Sequence, residues 1–170
     1  MKIDLIAPEY PGYGNHKGKA SATSLVKSVE QVILFATSPE GLGYDINNVI
    51  IIGRSIGTGV AVEISAKLRD LKGLVLISPF LSIREVAQNA AGLFSKLFIS
   101  DIFKNHTLID KIKCPILFIH GKKDRLIPFS HSVSLYHKAK SAKKLVLSDE
   151  MDHNKTRIER DIYKPMENFL

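Results

Sequence analysis

Ser55 stands between two glycines, Gly53-Arg54-Ser55-Ile56-Gly57, directly after the apolar run Val49-Ile50-Ile51-Ile52 and ahead of a stretch with helical periodicity. A serine on a sharp strand-to-helix turn is lifted clear of its neighbours, and its hydroxyl is placed to attack an acyl carbonyl. Glycines are expected on either side because so tight a turn leaves no room for a Cβ. With fifteen serines and eleven glycines in 170 residues, chance would produce Gly-x-Ser-x-Gly only roughly 0.06 times. The strand in front of it makes coincidence rarer still. The competing role for Ser55 is a plain helix N-cap, which serine commonly serves.

A serine hydroxyl is a weak nucleophile until a base takes its proton, and the base must be held in the right tautomer by a carboxylate. After the apolar run Ile116–His120 comes Gly121-Lys122-Lys123-Asp124, which puts Asp124 in a loop at a strand end. After Leu145–Leu147 comes Ser148-Asp149-Glu150-Met151-Asp152-His153, which puts His153 in the loop before the last helix. The order nucleophile, acid, base, each after a different strand, makes Ser55, Asp124 and His153 the candidate triad. The backbone N–H of Ile56 would donate one hydrogen bond to the oxyanion. Asp149 and Asp152 are rival acids, and Asp124 could instead cap a turn before Pro128. His120, at a strand end, reads as a bonded core histidine, whereas His16, His106, His131 and His137 read as surface residues.

These loops need elements to position them. Short Ile-, Val- and Leu-rich runs at Ile3–Ala7, Val49–Ile52, Leu74–Ile77, Ile116–His120 and Leu145–Leu147 predict five parallel strands buried on both faces. Helical spacing over Ala22–Thr37, Thr58–Arg69, Ser130–Lys140 and Thr156–Leu170 alternates with them. That rhythm predicts an α/β fold, a mostly parallel sheet flanked by helices, as a single domain over residues 1–170 with its functional loops at the carboxyl ends of the strands. The long connection 79–113 carries Leu93, Phe94, Leu97, Phe98, Ile99, Ile102 and Phe103. It reads equally as a cap over the serine or as ordinary helix packing.

The bulk numbers narrow the partners. No apolar run reaches the roughly 20 residues that span a bilayer, and a lone cysteine, Cys114, rules out an internal disulfide. No His, Cys or carboxylate spacing suits a metal, and Tyr10-Pro11-Gly12-Tyr13-Gly14 lacks the spacing of a phosphate-gripping loop, so neither metal nor cofactor is expected. The net charge is +7, but its lysines are dispersed along the sequence without aromatic interleaving. We therefore expect a solvated basic surface rather than a nucleic-acid partner, with peripheral contact to acidic lipid headgroups open only if the fold groups those lysines.

Together, Tyr10-Pro11-Gly12-Tyr13-Gly14, Gly53-Arg54-Ser55-Ile56-Gly57, Pro115-Ile116-Leu117-Phe118-Ile119-His120-Gly121-Lys122-Lys123-Asp124 and His153-Asn154 resemble an α/β-hydrolase nearly end to end. The resemblance is nearest to the depalmitoylases of the α/β-hydrolase-domain 17 type, with serine aminopeptidase-like hydrolases nearby. It implies a cytoplasmic hydrolase of acyl esters or thioesters, with membrane association open to it, acting on an acylated protein or small acyl ester. Peptide hydrolysis and a non-catalytic binding or scaffold role are the alternatives. In that group earlier strands and a His-Gly loop, the source of the second oxyanion donor, precede the region seen here. The resemblance thus implies an N-terminally truncated fold of about five strands, with a gap between Ile3–Ala7 and the strand leading to Ser55.

Overall fold

The computed structural model describes residues 3–91 and 101–169. Its centre is a parallel sheet of β1 (Ile50–Arg54), β2 (Gly73–Ile77), β3 (Ile116–Gly121) and β4 (Lys143–Ser148), hydrogen-bonded in that order. The registers pair Ile52 with Val75, Leu76 with Phe118 and Phe118 with Leu145. β2 and β3 are inner strands, and every residue of both is buried.

The period-2 alternation of side chains sorts these two strands into two cores. Leu74, Leu76, Ile116 and Phe118 face one side, where they pack with Leu25 and Val26 of α1 (Ala22–Thr37), Val60 and Ile64 of α2 (Ile56–Ser65), and Leu135 of α5 (Ser130–Lys138). Val75, Ile77, Leu117 and Ile119 face the other, against Met151 and Met166. Each such side chain, taken wholly from water, contributes about 1.5–3 kcal/mol. α1 begins at a reciprocal cap, with the Ser21 hydroxyl accepting from the Ser24 N–H and the Ser24 hydroxyl accepting from the Ser21 N–H. Cys114, buried at the entry to β3, has its thiol pushed up to about 11 by that burial.

Three expectations change. Residues 3–7 form no strand, so the described sheet has four strands rather than five. A strand exists only where a neighbour takes its N–H and C=O groups, and a cleft of about 800 Å³, lined by Leu5, Tyr10, Ile50, Ile52 and Gly57 among others, separates this segment from the open edge of β1. Leu5 is 79% exposed as a result. The C-terminal helix is broken into a π-helical stretch, Ile158–Tyr163, and α6 (Lys164–Glu167), with Pro165 in its first turn. Pro165 has no N–H to donate to an intrahelical carbonyl, so it suits a helix start rather than an interior.

Within the predicted cap, Leu93, Phe94, Leu97, Phe98 and Ile99 lie outside the described residues. On their flanks sit α3 (Ile83–Ala91) and α4 (Asn105–Leu108). Phe103 is a core residue rather than a lid residue: it is 3% exposed and fills the space over Gly59, where a Cβ would lie 2.4 Å from its Cγ. No helix among the described residues is long and apolar enough to cross a membrane.

Candidate active site

Ser55 occupies the turn between β1 and α2 with φ 50° and ψ −121°, a region that non-glycine residues rarely enter. Its N–H is tied to the Ile77 carbonyl at the end of β2, 3.0 Å away. Its side chain makes no capping bond to α2, so the N-cap alternative does not describe its hydroxyl. The two glycines beside it are not equivalent. A Cβ at Gly53 would lie 2.6 Å from the Gly57 carbonyl oxygen and 2.8 Å from the Ala61 Cβ, whereas one at Gly57 would meet only the Tyr10 hydroxyl at 3.7 Å. Steric need for glycine therefore holds at position 53 and not at 57.

The structure brings Ser55, Asp124 and His153 together from the carboxyl ends of β1, β3 and β4. Ser55 Oγ is 3.0 Å from His153 Nε2, and His153 Nδ1 is 2.8 Å from Asp124 Oδ2. A carboxylate on Nδ1 fixes that nitrogen as the N–H and leaves Nε2 to accept from the serine hydroxyl. Asp124 Oδ1 accepts from the N–H groups of Leu126 and Ile127 at 3.0 and 2.8 Å. Burial by itself would raise the Asp124 carboxyl. His120, whose Nε2 lies 3.5 Å from Oδ2, together with hydrogen bonds from the Ile127 N–H and His153 and the charge of His153, outweighs it and holds the group well below the usual carboxylate range. Ile56 is the first residue of α2, so its N–H is one of the four that a helix leaves without an intrahelical acceptor.

The rival acids do other work. Asp149 is exposed and pairs with Lys122 at 2.6 Å. Asp152 accepts from the N–H groups of Asn154 and Lys155 at 2.8 and 2.7 Å, which shapes the turn carrying His153. His120 is a wholly buried core histidine as expected, bonded to the Ser132 hydroxyl at 2.6 Å and the Ile127 carbonyl at 2.8 Å. His131 corrects the surface reading. It is 5% exposed, accepts from the Leu81 N–H at 3.1 Å and lies 2.8 Å from the Asn89 amide nitrogen. The buried Leu135, one helical turn further along α5, is the signal that could have found it. Sequence reasoning also missed Arg54, whose guanidinium donates to the His153 carbonyl and so ties the elbow to the histidine loop.

Gly121 controls how closely the acid and base loops approach. Lys122 N donates to Ser148 O at 2.8 Å and Lys123 N to Met151 O at 3.2 Å, and a Cβ on Gly121 would sit 2.0 Å from the Met151 carbonyl oxygen. Because that neighbour is backbone, Gly121→Ala is expected to cost about 3 kcal/mol, read as a lower urea midpoint. Gly57→Ala, with room for its methyl, is expected to leave the midpoint unchanged or raise it. Equal midpoints for the two variants would refute the packing difference.

Comparison with known proteins bears on the family and the fold. A model of the serine hydrolase (FSH1) family matches residues 9–154. The α/β hydrolase domain-containing protein aho-3 of Caenorhabditis elegans is 28% identical over all of this chain and 49% of its own length. The human α/β hydrolase domain-containing protein 17B is 29% identical over all of this chain and 57% of its own. The chain thus spans about half the length of the curated relatives it matches. Among solved structures, acetyl xylan esterase 1 from Thermoanaerobacterium superposes with a TM-score of 0.64 at 21% identity, over 86% of this chain and 51% of its own. An α/β serine hydrolase homologue from Coxiella burnetii gives 0.64 at 14%, over 94% and 64%. At such identities the superpositions speak for the α/β-hydrolase fold alone, and the family match carries the assignment: this chain belongs to the FSH1 serine hydrolase family.

Proposed function

We propose that Ser55, His153 and Asp124 form the catalytic triad of a hydrolase that cleaves acyl esters or thioesters. The observation that carries this is the unbroken hydrogen-bonded line from Ser55 Oγ through both His153 nitrogens to Asp124. In the reaction, Ser55 Oγ bonds to the acyl carbon as its proton passes to His153 Nε2. The carbonyl oxygen becomes an oxyanion beside the Ile56 N–H, at the positive end of α2. The carbon's bond to the alcohol or thiol then breaks and His153 returns the proton to that leaving group. Water, deprotonated by His153, releases the acid and regenerates Ser55. Asp124 keeps the imidazole oriented and balances its transient charge.

The finer reading, a long-chain acyl thioester as in protein depalmitoylation, draws support from the apolar lining of the cleft along β1, which runs from Leu5 and Ile52 to Tyr10 and Gly57 beside the elbow. That reading expects a higher kcat/KM for a palmitoyl than for an acetyl thioester.

A fluorophosphonate probe tests the triad directly. We expect stoichiometric labelling, with the modification mapped to Ser55 by peptide mass spectrometry. A folded, full-length protein that takes no label would leave only the non-catalytic binding role.

A further inference from the structure

A second concavity lies at the opposite end of the sheet from Ser55. Its volume is about 420 Å³, and its lining includes Lys67 and Arg69 from the connection before β2, Lys111 and Lys113 from the one before β3, and Lys140 from the one before β4. Asp110 is the single acidic residue in that lining. Lys67 pairs with Glu30 at 2.6 Å. No ion pair is seen for the other four cations among the described residues. The lining thus carries five lysines and arginines against one aspartate, a local excess of four positive charges. That excess of four is more than half of the net charge of +7 for the whole chain.

Like charges gathered around one hollow repel each other and disfavour the compact state unless an anion from outside offsets them. Solubility alone is served as well by dispersed charge. The volume falls within the roughly 300–1,000 Å³ of small-molecule sites. Lysines act on phosphate as flexible point charges and need no fixed planar geometry. A flat acidic peptide would have no use for the hollow.

We infer that this pocket binds a compact polyanion with clustered phosphates, either a phosphorylated lipid headgroup or a free phosphate ester. All four strands run parallel, so their amino ends lie a strand length, roughly 17–20 Å, from the reacting groups. The ligand therefore sits apart from hydrolysis. If it is a headgroup, the membrane-docked protein presents Ser55 on the side away from the bilayer.

The test uses inositol hexakisphosphate as the soluble probe, and phosphatidylcholine vesicles with and without phosphatidylinositol bisphosphate as the membrane probe. The variant is Lys111→Ala/Lys113→Ala/Lys140→Ala, in which all three side chains are exposed. Its control is Lys17→Ala/Lys19→Ala/Lys27→Ala, with the same loss of charge on exposed positions elsewhere. Each pocket lysine is expected to be worth about fivefold in affinity, and the triple variant about 100-fold, with fluorophosphonate labelling unchanged. Binding of the soluble probe without vesicle binding assigns a free phosphate ester. Binding of the bisphosphate vesicles, displaced by the soluble probe, assigns a headgroup. The inference is overturned if neither probe binds, if the pocket and control variants weaken binding equally, or if a polyglutamate peptide binds as tightly.

Discussion

Replacing Ser55 by alanine is expected to lower kcat for ester hydrolysis by about 10⁶-fold, the loss typical when the nucleophile of a serine triad is removed. Fold should survive, because the hydroxyl makes no capping bond to α2 and, among the described residues, its side-chain partner is His153. Stability separates this account from a structural role. Ser55 holds φ 50° and ψ −121°, a conformation whose strain for a side-chain-bearing residue is of order 1–3 kcal/mol. Alanine keeps that strain, whereas glycine relieves it. Ser55→Gly is thus expected to be as inactive as Ser55→Ala yet about 1 kcal/mol more stable, measured by urea unfolding beside an ester assay. Turnover retained in the alanine variant would remove Ser55 from the mechanism.

Asp124→Asn should reduce kcat by about 10⁴-fold, as expected when an amide replaces the carboxylate that sets the base's tautomer. The carboxylate accepts from His153 Nδ1 through one oxygen and from Leu126 and Ile127 through the other. An amide can accept at only one of those oxygens, so it either loses the loop N–H groups or turns its NH₂ toward the histidine. A pH signature follows. The folded carboxyl is held below its ordinary value, so its contribution to stability is fully present above an unfolded pKa of about 3.9. That contribution drains away as pH falls from there toward the lowered folded value. The stability gap between the native protein and Asp124→Asn, measured by urea midpoints, should therefore be smaller below pH 4 than at pH 5. A gap that widened in acid would contradict the carboxylate's ionised state.

Much of the site was legible because its signals are local. The elbow is five consecutive residues, and the order Ser55, Asp124, His153 is set by which loop follows which strand. The inner strands were legible for a related reason: β2 and β3 lie between other strands and between two cores, so their sequences are continuously apolar. Residues 3–7 are apolar apart from Asp4 and form no strand, because a ladder needs a neighbour and composition cannot supply one. Gly57 and His131 misled similarly. The turn motif suggests crowding at both glycines, but only the path of α2 and the placement of Tyr10 leave space at Gly57. The polarity of His131 suggested solvent, but Leu81 and Asn89, far away in sequence, give its ring partners inside.

By itself, then, the sequence determined the class of fold, the candidate residues for the site and the chemistry proposed for them, since each depends on short-range pattern and chain order. Only the tertiary structure decided which carboxylate reaches His153, how the acid and base loops lock across Gly121, and that lysines scattered over three connections form a single basic hollow opposite Ser55. Distances between residues many positions apart are set by how the parallel sheet stacks its loops at each end. A linear pattern of charge or apolarity does not contain them.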